Sequence, residues 1–149
     1  MTKVPTRSPT HADLDAGRLA AMGLEVEDIA DGAEVHVAAL VELAEERGRP
    51  VSHYLAAVAL ATDLRVAGGA RVQVRACAGT CQRWGALDLL DHLAARLDKS
   101  PRAFAITPVA CLDRCDHAPA CEVHAPDGTL VIAPATAAAL DEALSHLSQ

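Results

Sequence analysis

Arg71-Val-Gln-Val-Arg-Ala-Cys-Ala-Gly-Thr-Cys-Gln-Arg-Trp-Gly-Ala-Leu-Asp-Leu-Leu90 changes its pattern twice. Up to Arg75 polar and apolar residues alternate, the period of a half-buried strand. From Gly85 onward Leu87, Leu90, Leu93, Ala94 and Leu97 recur at helical spacing, so a helix is expected from Gly85 to about Leu97. Between the two lies a loop holding Cys77 and Cys81, with only the small residues Ala78, Gly79 and Thr80 between them. Phe104-Ala-Ile-Thr107 reads as a second strand, again followed by a cysteine pair, Cys111-Leu-Asp-Arg-Cys115. Cys121-Glu-Val-His124, Pro126-Asp-Gly128 and Thr129-Leu-Val-Ile132 read as strand, turn and strand, and Thr136 to Leu147 as a closing helix. The order β-α-β-β-β-α predicts an α+β fold, α/β-like at its start, with a small sheet covered by helices on one or both faces.

Upstream the pattern is helical throughout. Residues 1–10, with Pro5 and Pro9, read as a flexible tail. A short helix is expected from a Thr10 cap to Ala21, with Gly23 as its stop, and a longer one from about Ala33 to Arg47, ended by Gly48 and Pro50. Ser52 then reads as the cap of a third helix, from about His53 to Arg65, which is apolar on nearly every side and must be covered by this chain or another. Gly68-Gly69 marks the boundary, giving a helical segment over 11–67 and a sheet domain over 68–149. The phosphate-cradling alternative for those glycines lacks the further glycines or the Lys-Ser/Thr that it needs.

Composition excludes several classes. Of the 149 residues 51% are hydrophobic but only 2% aromatic, so the core is built from Ala, Val and Leu. Net charge is -7, from 6 basic against 11 acidic residues up to Val66 and 7 against 9 thereafter. No basic patch is available to displace phosphate counterions, which argues against nucleic acid. No apolar run approaches the roughly 20 residues of a membrane-spanning helix, and the first residues lack the apolar core of a secretory signal. A cytoplasmic location is expected, where paired cysteines serve as metal ligands or catalytic thiols more often than as disulfides.

Four thiolates in two close pairs suit a tetrahedral metal or a two-iron cluster, two sulfurs to each iron. Zinc knuckles carry about two to four residues between cysteines, so three leaves zinc open. The thiol-redox signature has two, which sets that class behind the metals. Arg75, Arg83 and Arg114 lie near enough in sequence to offset the negative charge of a cluster.

The stretch from Val74 to Leu90, with Cys111-Leu-Asp-Arg-Cys-Asp-His-Ala-Pro119, resembles the thioredoxin-like [2Fe-2S] ferredoxin family. That family includes the E-type small subunit of NADH:quinone oxidoreductase and its equivalents in NAD-linked hydrogenases and formate dehydrogenases. The match lies in the first cysteine pair, the Gly85-Ala86 that opens a helix, the second pair, and Ala118-Pro119 just beyond it. The resemblance, over about residues 70 to 149, implies a thioredoxin-like domain carrying a [2Fe-2S] cluster on Cys77, Cys81, Cys111 and Cys115. It implies one-electron transfer with no catalytic residue of the chain's own, and a redox partner protein such as an NADH-oxidising flavoprotein subunit. The first loop is one residue shorter than in the complex-I members, and their upstream Phe-Tyr pair is missing from Ala57 to Leu64. A stand-alone ferredoxin therefore stands beside the subunit reading, with a zinc-stabilised binding module as the alternative from another class.

The remaining candidates read as structural. Cys121 is expected as a small buried hydrophobe close to the site, His117 as a loop or partner-facing residue, His92 as a surface residue, and Trp84 as a cover for the cluster or sheet edge. The apolar third helix makes a second copy of the chain a candidate partner.

Overall fold

The computed structural model describes residues 14–67, 71–79, 85–99, 104–112 and 119–147. The tail at 1–10, the Thr10 cap and the Gly68-Gly69 connector lie outside these residues. The elements follow in the order α1 (Ala16–Ile29), β1 (Glu34–Val35), α2 (Val37–Arg47), α3 (Val51–Ala61), β2 (Arg65–Val66), β3 (Gln73–Cys77), α4 (Ala86–Lys99), β4 (Ala105–Val109), β5 (Cys121–Ala125), β6 (Gly128–Ile132) and α5 (Ala137–Leu147).

From β3 onward this is the expected β-α-β-β-β-α order. The four strands form one mixed sheet, β4-β3-β5-β6, parallel between β3 and β4 and antiparallel elsewhere. A parallel pair needs a crossover, which α4 supplies, whereas the β5-β6 hairpin needs only Pro126 and Asp127 before Gly128, at φ 145°. The result is a thioredoxin-like α+β sheet with flanking helices, preceded by a helical segment.

Alternation decides the two faces of the sheet. Val74, Ala76, Ile106, Cys121 and Val123 join one core with Leu87, Leu90, Leu93, Ala94 and Leu97 of α4 and with Leu140 and Leu144 of α5. Each buried leucine contributes roughly 1.5–3 kcal/mol. On the other face polar side chains cluster around Arg75 and Glu122, with exposed Val131 across from Glu122, as a partly solvated sheet face allows. Arg75 Nη1 lies 3.3 Å from Glu122 Oε1, His124 Nε2 lies 3.1 Å from the same oxygen, and Thr129 Oγ1 lies 3.3 Å from His124 Nδ1. Arg75 is thus engaged by a carboxylate across the ladder.

The helical segment departs from its expected boundaries for reasons that lie in tertiary contacts. Asp15 caps α1 by accepting from the Arg18 N–H at 2.7 Å, and the helix runs through Gly23 instead of stopping there. A Cβ at Gly23 would come within 3.2 Å of Ala61 on α3, so this glycine serves close helix approach, not termination. Glu34 and Val35 are drawn into a parallel two-residue ladder with Arg65 and Val66, which delays α2 to Val37. Gly48 ends α2 in the left-handed region, at φ 66°, as its position suggested.

Ser52 lies inside α3 and is not its cap; Pro50 occupies the cap position and offers no side-chain acceptor. Asp91 of α4 caps the helix from a distance. Its Oδ1 accepts the Ser52 N–H at 2.9 Å and its Oδ2 accepts the Ser52 hydroxyl at 2.9 Å. A carboxylate there satisfies donors that the helix leaves open and meets the positive end of its dipole. Tyr54, Leu55, Ala56, Ala57 and Val58 of α3 are buried, with α1, α2, α4 and β4 packed around the helix. Its apolar surface is therefore covered by its own chain, and a second copy is not required to bury it.

The Tyr54 hydroxyl donates to Glu25 and accepts from Arg49 Nη1 at 3.3 Å. Burial first, and Glu25 second, raise its pKa and keep it a neutral phenol. His92, expected at the surface, is a tie between helices: its Nε2 lies 2.8 Å from Asp141 Oδ1 on α5, to which Arg96 Nη1 donates at 2.9 Å. Those contacts, led by the His92 hydrogen bond, hold the Asp141 carboxyl below its ordinary range. Among the described residues no helix is long and apolar enough to cross a membrane.

Candidate metal centre

Sheet register brings the two cysteine loops to one end of the sheet. Cys77 is the last residue of β3 and pairs with Val109, the last residue of the parallel β4, so that Cys111 follows two positions later. Parallel strands end on the same side, which is why both loops emerge together. Cys77 is buried and Cys111 exposed. Cys81 and Cys115 lie outside the described residues, as do Arg83, Trp84, Arg114 and His117. Among the described residues no group of three or more potential metal-ligating side chains is gathered, and this set holds only two of the four expected cysteines.

The loops are joined by backbone. The Ala78 N–H donates to the Val109 carbonyl at 2.7 Å, which extends the β3-β4 ladder one residue past Cys77. The Cys77 N–H donates to the Ala120 carbonyl at 3.3 Å, tying the same residue to the start of β5. Cys77 Sγ lies 3.6 Å from the carbonyl oxygen of Ala110, the residue before Cys111. Gly79 presses on that same peptide: a Cβ placed there would collide with the Ala110 oxygen and stand 3.3 Å from its carbonyl carbon. The sequence showed a run of small residues between Cys77 and Cys81, but not what they lie against.

Side chains complete the surroundings. Cys77 packs with Ala86, the first residue of α4, and with half-buried Leu112, in a small apolar cluster apart from the main core. Gly85 reaches φ 103°, a conformation that favours glycine, and so lets the chain turn directly into α4 beside Cys77.

Cys121 stands across the ladder from Ala76 and is 1% exposed. Burial, reinforced by the charge of Cys77, pushes its thiol pKa up to about 12. It behaves as the small core hydrophobe that the sequence suggested, near the loops but within the main core.

Of the implied donor set, the described residues place one soft sulfur, Cys77 and Cys111, on each of two loops whose backbones touch at one end of the sheet, a donor chemistry that suits a thiophilic metal. No family model matches the chain, and no curated protein matches it.

Proposed function

We propose that this chain is a one-electron carrier holding a [2Fe-2S] cluster on Cys77, Cys81, Cys111 and Cys115, as a ferredoxin or as the small electron-transfer subunit of an NAD(P)H-linked oxidoreductase. The observation that carries this reading is the backbone contact between the two cysteine loops at Gly79 and Ala110, at the shared end of parallel strands. When bound, the cluster supplies one reversible electron. The chain's own residues give the site two sides. Cys77, Ala86 and Leu112 form a dry wall that excludes water, while exposed Cys111 marks the side open to a redox partner protein, of which an NADH-oxidising flavoprotein is the favoured kind. Four thiols kept for a metal suit a reducing, cytoplasmic compartment.

Anaerobic purification tests the reading. Red-brown protein with about two irons and two sulfides per chain, giving an S = 1/2 signal on reduction, is expected. Cys111→Ser should abolish or strongly shift the visible spectrum, whereas Cys121→Ser should leave it in place. Colourless, redox-silent protein with stoichiometric zinc would sink the proposal in favour of a zinc-stabilised binding module.

A further inference from the structure

Gly79 lies in the first cysteine loop but touches the second. Three features converge on the two peptides that join Val109, Ala110 and Cys111. Ala78 donates to the Val109 carbonyl at 2.7 Å, Cys77 Sγ lies 3.6 Å from the Ala110 oxygen, and Gly79 leaves no room for a Cβ against that oxygen. The obstacle at Gly79 is backbone, which cannot swing aside as the end of a flexible side chain can. No φ in the left-handed region explains the glycine, so close approach is the reason for it. Gly85 and Gly128, by contrast, have positive φ and no atom within 4 Å of an added Cβ.

From this contact we infer that Gly79 is a positioning residue for the metal centre, setting the separation of the Cys77 and Cys111 sulfurs by letting one loop rest on the peptide of the other. The inference depends on the two-loop metal reading and adds a determinant that is not itself a ligand. Any side chain at position 79 must lift the first loop off Ala110, so that Cys77 moves relative to Cys111. Metal-sulfur distances tolerate little variation, so the displacement is read as lost affinity and altered electronics.

The test compares wild type with Gly79→Ala, using cobalt(II) titration of the reduced apoprotein, followed by thiolate-to-cobalt absorbance, and the reduction potential of the iron-reconstituted protein. Gly79→Ala should retain its helical circular dichroism, bind cobalt about tenfold to a hundredfold more weakly, as loss of a supporting contact does at other metal sites, and show a shifted potential. In the apoprotein the Ala78 amide should lose its protection from hydrogen exchange. Gly32→Ala is the control, because Gly32 has φ 64° and open space around it, so that backbone strain alone should leave cobalt affinity unchanged.

Equal cobalt affinity and equal potential in wild type and Gly79→Ala would overturn the inference and leave the proposed function standing. Wild type that takes up neither cobalt nor iron would overturn both. If Gly79→Ala does not fold, Ala78→Pro replaces it, since proline deletes the hydrogen bond to Val109 while keeping Gly79. Unchanged cobalt affinity in folded Ala78→Pro would equally overturn the inference.

Discussion

Cys111 and Cys121 carry the same side chain into opposite surroundings, and the burial of Cys121 is measurable as a pH dependence. Cys111 is exposed beyond the end of β4, whereas Cys121 is closed into the core, with its thiol pKa raised from 9.0 to about 12. Below pH 9 the Cys121 thiol is protonated whether the chain is folded or not, so its burial contributes in full. Between about 9 and 12 the unfolded chain releases that proton while the folded chain keeps it, and stability falls as pH rises. The slope expected from one such group is at most about 1.4 kcal/mol per pH unit. Urea unfolding of the reduced apoprotein across this range should therefore show a steeper decline for wild type than for Cys121→Ala. Parallel declines would mean that Cys121 ionises in the folded chain and is not sealed in its core.

Between elements, the cap of α3 rests on one side chain, the Asp91 carboxylate. Asp91→Ala leaves the Ser52 N–H and hydroxyl without their acceptor in a position where Ser52 is 0% exposed, and should cost about 2–3 kcal/mol. Ser52→Ala should cost less, because the N–H keeps its carboxylate; a urea midpoint shifted equally by both variants would refute this division. The same contact explains what the sequence could and could not tell. Long periodic runs such as Leu87 to Leu97 declared their helix, and the alternation around Val74 its strand, because period depends only on neighbours. Ser52 looked like a cap since serine before an apolar run usually is one, but the acceptor came from Asp91, 39 positions away. The β1-β2 ladder was hidden for a similar reason, two residues being too few to show a period. At the candidate site the cysteine spacing was legible, and the end of β3 beside Cys77 nearly so. The seat of Gly79 on Ala110 was not, since it depends on the β3-β4 register.

At the scale of the whole molecule, a composition break at Gly68-Gly69 suggested a helical segment and a sheet domain, yet a single continuous core runs through both. Met22, Val26, Leu40, Tyr54 and Leu55 belong to the same cluster as Val74, Leu87, Ile106 and Leu140. Asp91 carries the connection further, since a residue of the sheet domain caps a helix of the upstream segment. Unfolding one part would expose the apolar face that the other covers, so the parts should lose structure together. The chain supplies its own reporters: its one tyrosine, Tyr54, lies in the upstream segment and its one tryptophan, Trp84, in the downstream sequence. Tyrosine absorbance and tryptophan fluorescence, followed in one urea titration, should give coincident midpoints. Two separated transitions would show independent domains, and would confine the stabilising reach of the cysteine loops to the sheet alone. A shared transition instead makes metal binding at one end of the sheet stabilise α1 to α3 as well, because a ligand held only by the folded state stabilises everything that unfolds with its site. Reconstitution with iron should then raise the tyrosine and tryptophan midpoints by the same amount.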